Sequence, residues 1–174
     1  SFYLGYREDR KYYFLCYAAA ALAVLTKGPI GLALPGLSAI LFLLWRRDLR
    51  EMLHVRLISG MVLFLLLCAP WYIYMTVYHG TDFLLNFFGV HNYLRATVAE
   101  HQSTAHWWFY IAMYFAGFFP WSFFMLPALF RKWKEHGLSF ARADTATQFL
   151  LVWGVTVLLV FQLIATKYTT YTFP

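Results

Sequence analysis

Long apolar runs separated by short polar clusters organise this chain of 174 residues. A membrane-crossing helix needs about 20 mainly apolar residues. Five stretches meet or approach that description: Tyr12–Thr26, Gly28–Trp45, Leu57–Val77, Trp107–Phe130 and Ala146–Ala165. Runs such as Leu63-Phe64-Leu65-Leu66-Leu67 do not alternate, which argues against the alternating strands of a membrane barrel. The first two runs are short and meet at Lys27-Gly28-Pro29. Proline lacks a backbone N–H and turns the preceding residue away from helix. The pattern therefore predicts two helices there rather than one, and an all-α polytopic membrane protein with about five transmembrane helices.

The connection at residues 78–106 is longer than most. Within it Leu84, Phe87, Phe88, His91 and Arg95 recur at spacings of three and four. On an α-helix these residues share one face, so an amphipathic helix lying along the membrane interface is expected.

Charge then orients the spans. Short cytoplasmic loops are enriched in Lys and Arg. Arg7, Arg10 and Lys11 precede the first span, Arg46, Arg47, Arg50 and Arg56 lie between the second and third, and Arg131, Lys132, Lys134 and Arg142 lie between the fourth and fifth. If each run crosses once, all three clusters fall on one face, which is then the cytoplasm, and the long connection is an outer loop. Lys27, Arg95 and Lys167 are left on the outer side.

Composition agrees. The chain is 61% hydrophobic, 22% aromatic and only 13% charged, against about 25% charged in soluble domains. A water-soluble globule and a disordered chain are excluded. The net charge of +6 does not form a stripe, so no nucleic acid partner is expected. Cys16 and Cys68 lie within apolar runs and read as packing residues rather than a disulfide. No secretory signal is visible at the start. The opening at Ser1 and the stop at Pro174 within an apolar segment lead us to expect residues 1–174 to be part of the transmembrane domain of a larger protein.

The three outer cations are the candidate chemistry. Each has a plain alternative, since Lys and Arg near helix ends snorkel to the interface or meet lipid headgroups. Their coincidence on one face, beside hydrogen-bonding groups, points instead to a bound phosphate. His79, His91, His101 and His106 also fall in the outer loop. No pair has the spacing of a metal signature, so a divalent metal is conceivable but not indicated, and bonding to sugar or phosphate oxygens suits them as well.

The ordered motifs carry a resemblance. Thr26-Lys27-Gly28-Pro29, Ala69-Pro70-Trp71, Phe87-Phe88 with His91-Asn92 and Arg95, His101 before Trp107-Trp108-Phe109-Tyr110, Gly117 with Pro120-Trp121, and Lys167 with Tyr171 together resemble the middle of the GT-C membrane glycosyltransferases. The nearest likeness is to the aminoarabinose lipid A transferases and the protein mannosyltransferases, and it covers nearly the whole chain. It implies an enzyme of the bacterial plasma membrane that transfers sugar from a polyprenyl-phosphate donor to an acceptor on the outer face, be it lipid A, protein or envelope polymer.

In that reading Lys27, Arg95 and Lys167 hold the donor phosphate, and His91, Asn92, His101 and Tyr171 are substrate contacts. The family's catalytic carboxylate lies in the first outer loop, which is expected upstream of Ser1. Two departures stand out. The aminoarabinose transferases tend to have Glu-His where this chain has His91-Asn92, and a proline within the lysine–tyrosine motif where Thr169 or Thr170 stands here. A secondary transporter or flippase for an anionic lipid or solute is the rival reading. Such proteins place their sites near the midplane, whereas these cations lie at span ends. A purely structural membrane scaffold is a third reading, in which the outer cations are anchors.

Overall fold

The computed structural model describes residues 1–94, 97–98, 106, 108–137 and 144–167. Among these the chain is helical and contains no strand. It divides into two compact units, Ser1–Leu94 and Arg95–Pro174.

The first unit is built on three helices. α2 (Tyr12–Lys27) and α3 (Ile30–Arg46) form a hairpin, and α5 (Leu57–His79) packs along α2. The expected break is where the sequence placed it. Gly28 takes φ 77°, a conformation that favours glycine, and Pro29 caps α3, where a missing N–H costs nothing. Small residues let the backbones approach: Ala20, Ala21 and Val24 of α2 form the core with Phe64 and Cys68 of α5. The Cys68 thiol sits 3.4 Å from the Ala21 carbonyl. Both cysteines are free, and Cys68 is buried among packing residues as expected.

One end of this unit collects the short elements and much of the positive charge. α1 (Phe2–Arg7) and α4 (Glu51–His54) lie there. Phe2 and Tyr6 set their rings edge-on to Phe42 at 6.4 and 5.3 Å. The Tyr6 hydroxyl donates to Asp48 at 3.1 Å and the Tyr13 hydroxyl to Glu51 at 2.8 Å. The Arg56 guanidinium stands 5.4 Å from the Phe14 ring. In the linker before α2, the Lys11 amide and ammonium hold the Asp9 carboxyl below its ordinary value. The first two cationic clusters thus meet at one end of the helices, as the charge rule requires.

The second unit contains α7 (Phe109–Gly117), α8 (Trp121–His136) and α9 (Thr145–Leu163). Asp144 caps α9, its carboxylate accepting from the Thr147 amide at 2.6 Å. Such a cap satisfies an amide that has no partner within the helix. Tyr110 is fully buried and lies 6.3 Å from Phe161.

The helices differ from the expected apolar runs in three places. Among the described residues, only α5 and α9 are both long and apolar enough to cross a membrane as single helices. α2 and α3 are separate apolar helices of 16 and 17 residues, a little short of a full crossing. The run Trp107–Phe130 is not one straight helix: α7 and α8 are bent by 109° across residues 118–120, where Pro120 cannot donate to the preceding turn. α8 also continues to His136, so Arg131, Lys132 and Lys134 are helical rather than in a loop. Lys, Arg and Glu are good helix formers, and the helix ends at Gly137 with φ 59°.

The amphipathic helix expected in the outer loop begins as α6 (Thr81–Leu84) and continues as a π-helix over Leu85–Leu94. Its hydrogen bonds reach i+5, so the three-and-four spacing does not hold through this segment. Phe83, Leu84 and Phe87 are half-buried, while Phe88 is 44% exposed.

Candidate functional site

The hairpin turn between α2 and α3 presents Lys27 at the end opposite the arginine-rich one. α2 ends in Thr26 and Lys27, and the Gly28 amide closes its last turn on the Val24 carbonyl at 2.8 Å. The Thr26 hydroxyl folds back on its own helix, 3.2 Å from the Leu22 carbonyl and 3.0 Å from that of Ala23. Lys27 is exposed, and its ammonium makes no hydrogen bond or ion pair among the described residues. A cation at a helix C-terminus complements the helix dipole, so its location is locally favourable. Its open ammonium is available to an anion.

α5 brings the start of the long connection to this turn. The Tyr72 hydroxyl donates to the Val24 carbonyl at 3.3 Å. The Tyr72 ring lies 6.5, 5.7 and 6.0 Å from the rings of Phe83, Phe87 and Phe88. The start of the loop helix is thereby held near the end of α2. His91 and Asn92 lie further along on the π-helix. Arg95 is outside the described residues, as are His101 and Tyr171 and the side chains of His91 and Asn92.

Lys167 sits differently from the open cation that its position after the last span implies. It is only 6% exposed, and its ammonium donates to the His106 carbonyl at 3.1 Å. A buried ammonium must be compensated by acceptors, and this carbonyl is one of them. The Gln162 amide points to the same carbonyl at 3.4 Å. Next to it, buried Thr166 donates to the Val98 carbonyl at 2.7 Å. The stretch after α9 is thus tied to Val98 and His106, two of the residues described near the end of the long connection. The His106 ring stacks on Trp108 at 5.4 Å. Lys27 belongs to the first unit and Lys167 to the second.

Among the described residues no three His, Cys, Asp or Glu side chains come together as a metal site. Residues that sequence reasoning did not single out are Tyr72, Gln162 and Thr166. Only Tyr72 left a trace, beside Pro70-Trp71, where a tyrosine near a span end reads as an interfacial anchor.

Residues 1–74 match the family of dolichyl-phosphate-mannose-protein mannosyltransferases. Over 158 residues, 90% of this chain, the sequence is 30% identical to an undecaprenyl phosphate-alpha-4-amino-4-deoxy-L-arabinose arabinosyl transferase of Pseudomonas fluorescens. Over 159 residues it is 31% identical to the Erwinia tasmaniensis protein of that name. The fold of ArnT from Cupriavidus metallidurans bound to undecaprenyl phosphate superposes on 93% of the chain with a TM-score of 0.77 and 26% identity. The chain resembles the aminoarabinose transferases of the GT-C glycosyltransferases. The likeness to aminoarabinose transferases extends beyond the family match at the start of the chain to both units. It also agrees with the apolar helices in describing a polytopic membrane protein. The chain spans 26–27% of the length of these two transferases and 28% of ArnT.

Proposed function

We propose that this chain is part of a membrane glycosyltransferase that moves a glycosyl group from a polyprenyl-phosphate donor to an acceptor on the outer face of the bacterial plasma membrane. The observation that carries the reading is the likeness, across 90% of the chain, to undecaprenyl-phosphate aminoarabinose transferases. An undecaprenyl-phosphate aminopentose is the donor we favour. The acceptor is a lipid such as lipid A, with protein or an envelope polymer as the other outcomes of an acceptor screen.

In the reaction the bond between the sugar's anomeric carbon and the donor phosphate breaks, and the phosphate leaves with the bonding electrons. An acceptor oxygen forms the new bond and gives its proton to a base. Charge grows on the departing phosphate, so cations fixed beside it in a water-poor site favour the transition state. Lys27 and Arg95 are assigned that role. Lys167, whose ammonium holds the His106 carbonyl, is assigned to the donor phosphate as well. His91, Asn92, His101 and Tyr171 are assigned to hydrogen bonds with sugar or phosphate oxygens. The acceptor-activating carboxylate is assigned to another stretch of the protein.

The exposed ammonium of Lys27, at the end opposite the arginine clusters, supports this assignment. The test is sugar transfer by the full-length protein in membranes, with undecaprenyl-phosphate sugars as donors. Lys27→Ala, Arg95→Ala and Lys167→Ala should each lower turnover, for Lys27→Ala by on the order of 100-fold, with insertion unchanged. Turnover at the wild-type level in all three refutes the phosphate site.

A further inference from the structure

We infer that Tyr72 is a positioning residue for Lys27, coupling the α2–α3 turn to the outer-loop helix. The inference rests on the donor-phosphate reading of Lys27. Tyr72 stands on α5, whereas Lys27 ends α2, and two sets of contacts join the two elements to the loop. Its hydroxyl donates to the Val24 carbonyl at 3.3 Å. The same carbonyl accepts the Gly28 amide at 2.8 Å, the bond that completes the last helical turn before the chain reverses at Gly28. Lys27 lies within that turn, so the direction in which its side chain leaves the helix depends on this carbonyl. The ring of Tyr72 meanwhile packs against Phe83, Phe87 and Phe88 and against the buried cluster of Ala20, Ala21, Val24, Phe64 and Cys68.

An interfacial anchoring tyrosine sends its hydroxyl toward headgroups and water. This one sends it inward to a backbone carbonyl of a different helix, and only the ring meets the loop. Catalytic groups placed by such packing lose effectiveness when they move by about 1 Å. A shift of the outer helix is therefore transmitted to the turn that carries Lys27, and the turn is held still while the helix is seated.

The experiment measures binding of undecaprenyl phosphate to the full-length protein in four forms: wild type, Tyr72→Phe, Lys27→Ala and the double variant. Tyr72→Phe removes only the hydroxyl and should weaken binding about fivefold, the size of one lost hydrogen bond. Lys27→Ala should weaken it by about 10- to 100-fold. In the Lys27→Ala background Tyr72→Phe should have no further effect, because the group that it positions is gone. A purely structural tyrosine would instead weaken binding by the same factor in both backgrounds, and that result overturns the inference. Unaltered affinity in Tyr72→Phe also overturns it. Wild-type affinity in Lys27→Ala is a separate result, which removes the phosphate reading itself and the role of Tyr72 with it. Phe87→Leu loosens the ring's seat while keeping the hydroxyl and should show the same dependence on Lys27, which keeps the test open if Tyr72→Phe does not fold.

Discussion

Replacing Gly31 by alanine should part the α2–α3 hairpin. A Cβ at Gly31 would lie 2.5 Å from the carbonyl carbon of Ala23 and 2.7 Å from both the Ala23 oxygen and the Val24 nitrogen. Carbon atoms in contact prefer about 3.5–4.0 Å, so the two helices must separate by about 1 Å. The opposing atoms are backbone of a helix and cannot rotate aside. Overpacking of this kind costs about 1–3 kcal/mol. Gly36 provides the control on the same helix, because a Cβ there meets nothing within 4 Å. Gly36→Ala should be neutral or stabilising by up to about 1 kcal/mol, the helix preference of alanine over glycine. The assay is thermal unfolding of the detergent-solubilised protein beside sugar transfer. Gly31→Ala should melt several degrees lower, by on the order of 5 °C, and lose transfer because the Lys27 turn moves with the hairpin. Equal melting temperatures for Gly31→Ala and Gly36→Ala would refute the close-contact argument.

Other predictions concern the ends of the helices. Tyr13→Phe removes the hydroxyl that donates to Glu51 at 2.8 Å and should destabilise the protein by about 1–2 kcal/mol, read as a lower melting temperature. Thr166→Val abolishes the 2.7 Å bond to the Val98 carbonyl and should make the chain after α9 more sensitive to limited proteolysis, with cleavage close to Lys167. The Asp9 carboxyl is held below its ordinary value by the Lys11 amide. Its contribution is therefore present above the ordinary carboxylate value and is lost as pH falls through the lowered one. Asp9→Asn should melt slightly below wild type at neutral pH, and the difference should vanish in strong acid.

Much of the fold was legible because two signals are written directly in residue order. Hydrophobic run length bounds where a helix can cross lipid, and the helices end within a few residues of the expected limits at Thr26, Trp45, Val77 and Ala165. Proline and glycine punctuate a helix through their own backbone chemistry, so the break at Lys27-Gly28-Pro29 needed no knowledge of neighbours. The bend of 109° between α7 and α8 was the exception. Pro120 marks a place where the helix can break, but Pro35 and Pro70 lie inside α3 and α5 without ending them. Which outcome follows depends on what packs around the interrupted turn.

Residue order by itself determined that this is a helical membrane protein, which end of its first helices bears the arginines, and that Lys27, Arg95 and Lys167 stand apart from that charge rule. Tertiary structure alone decided what the ammonium groups meet. Lys27 and Lys167 both follow apolar runs, yet one is open at a hairpin turn and the other is buried on the His106 carbonyl. The role of Tyr72 was equally hidden, because its partners Val24 and Phe87 come from other segments of the chain. Periodicity reports which residues share a face of one helix. It carries no information about the carbonyl or ring that another helix will bring to that face.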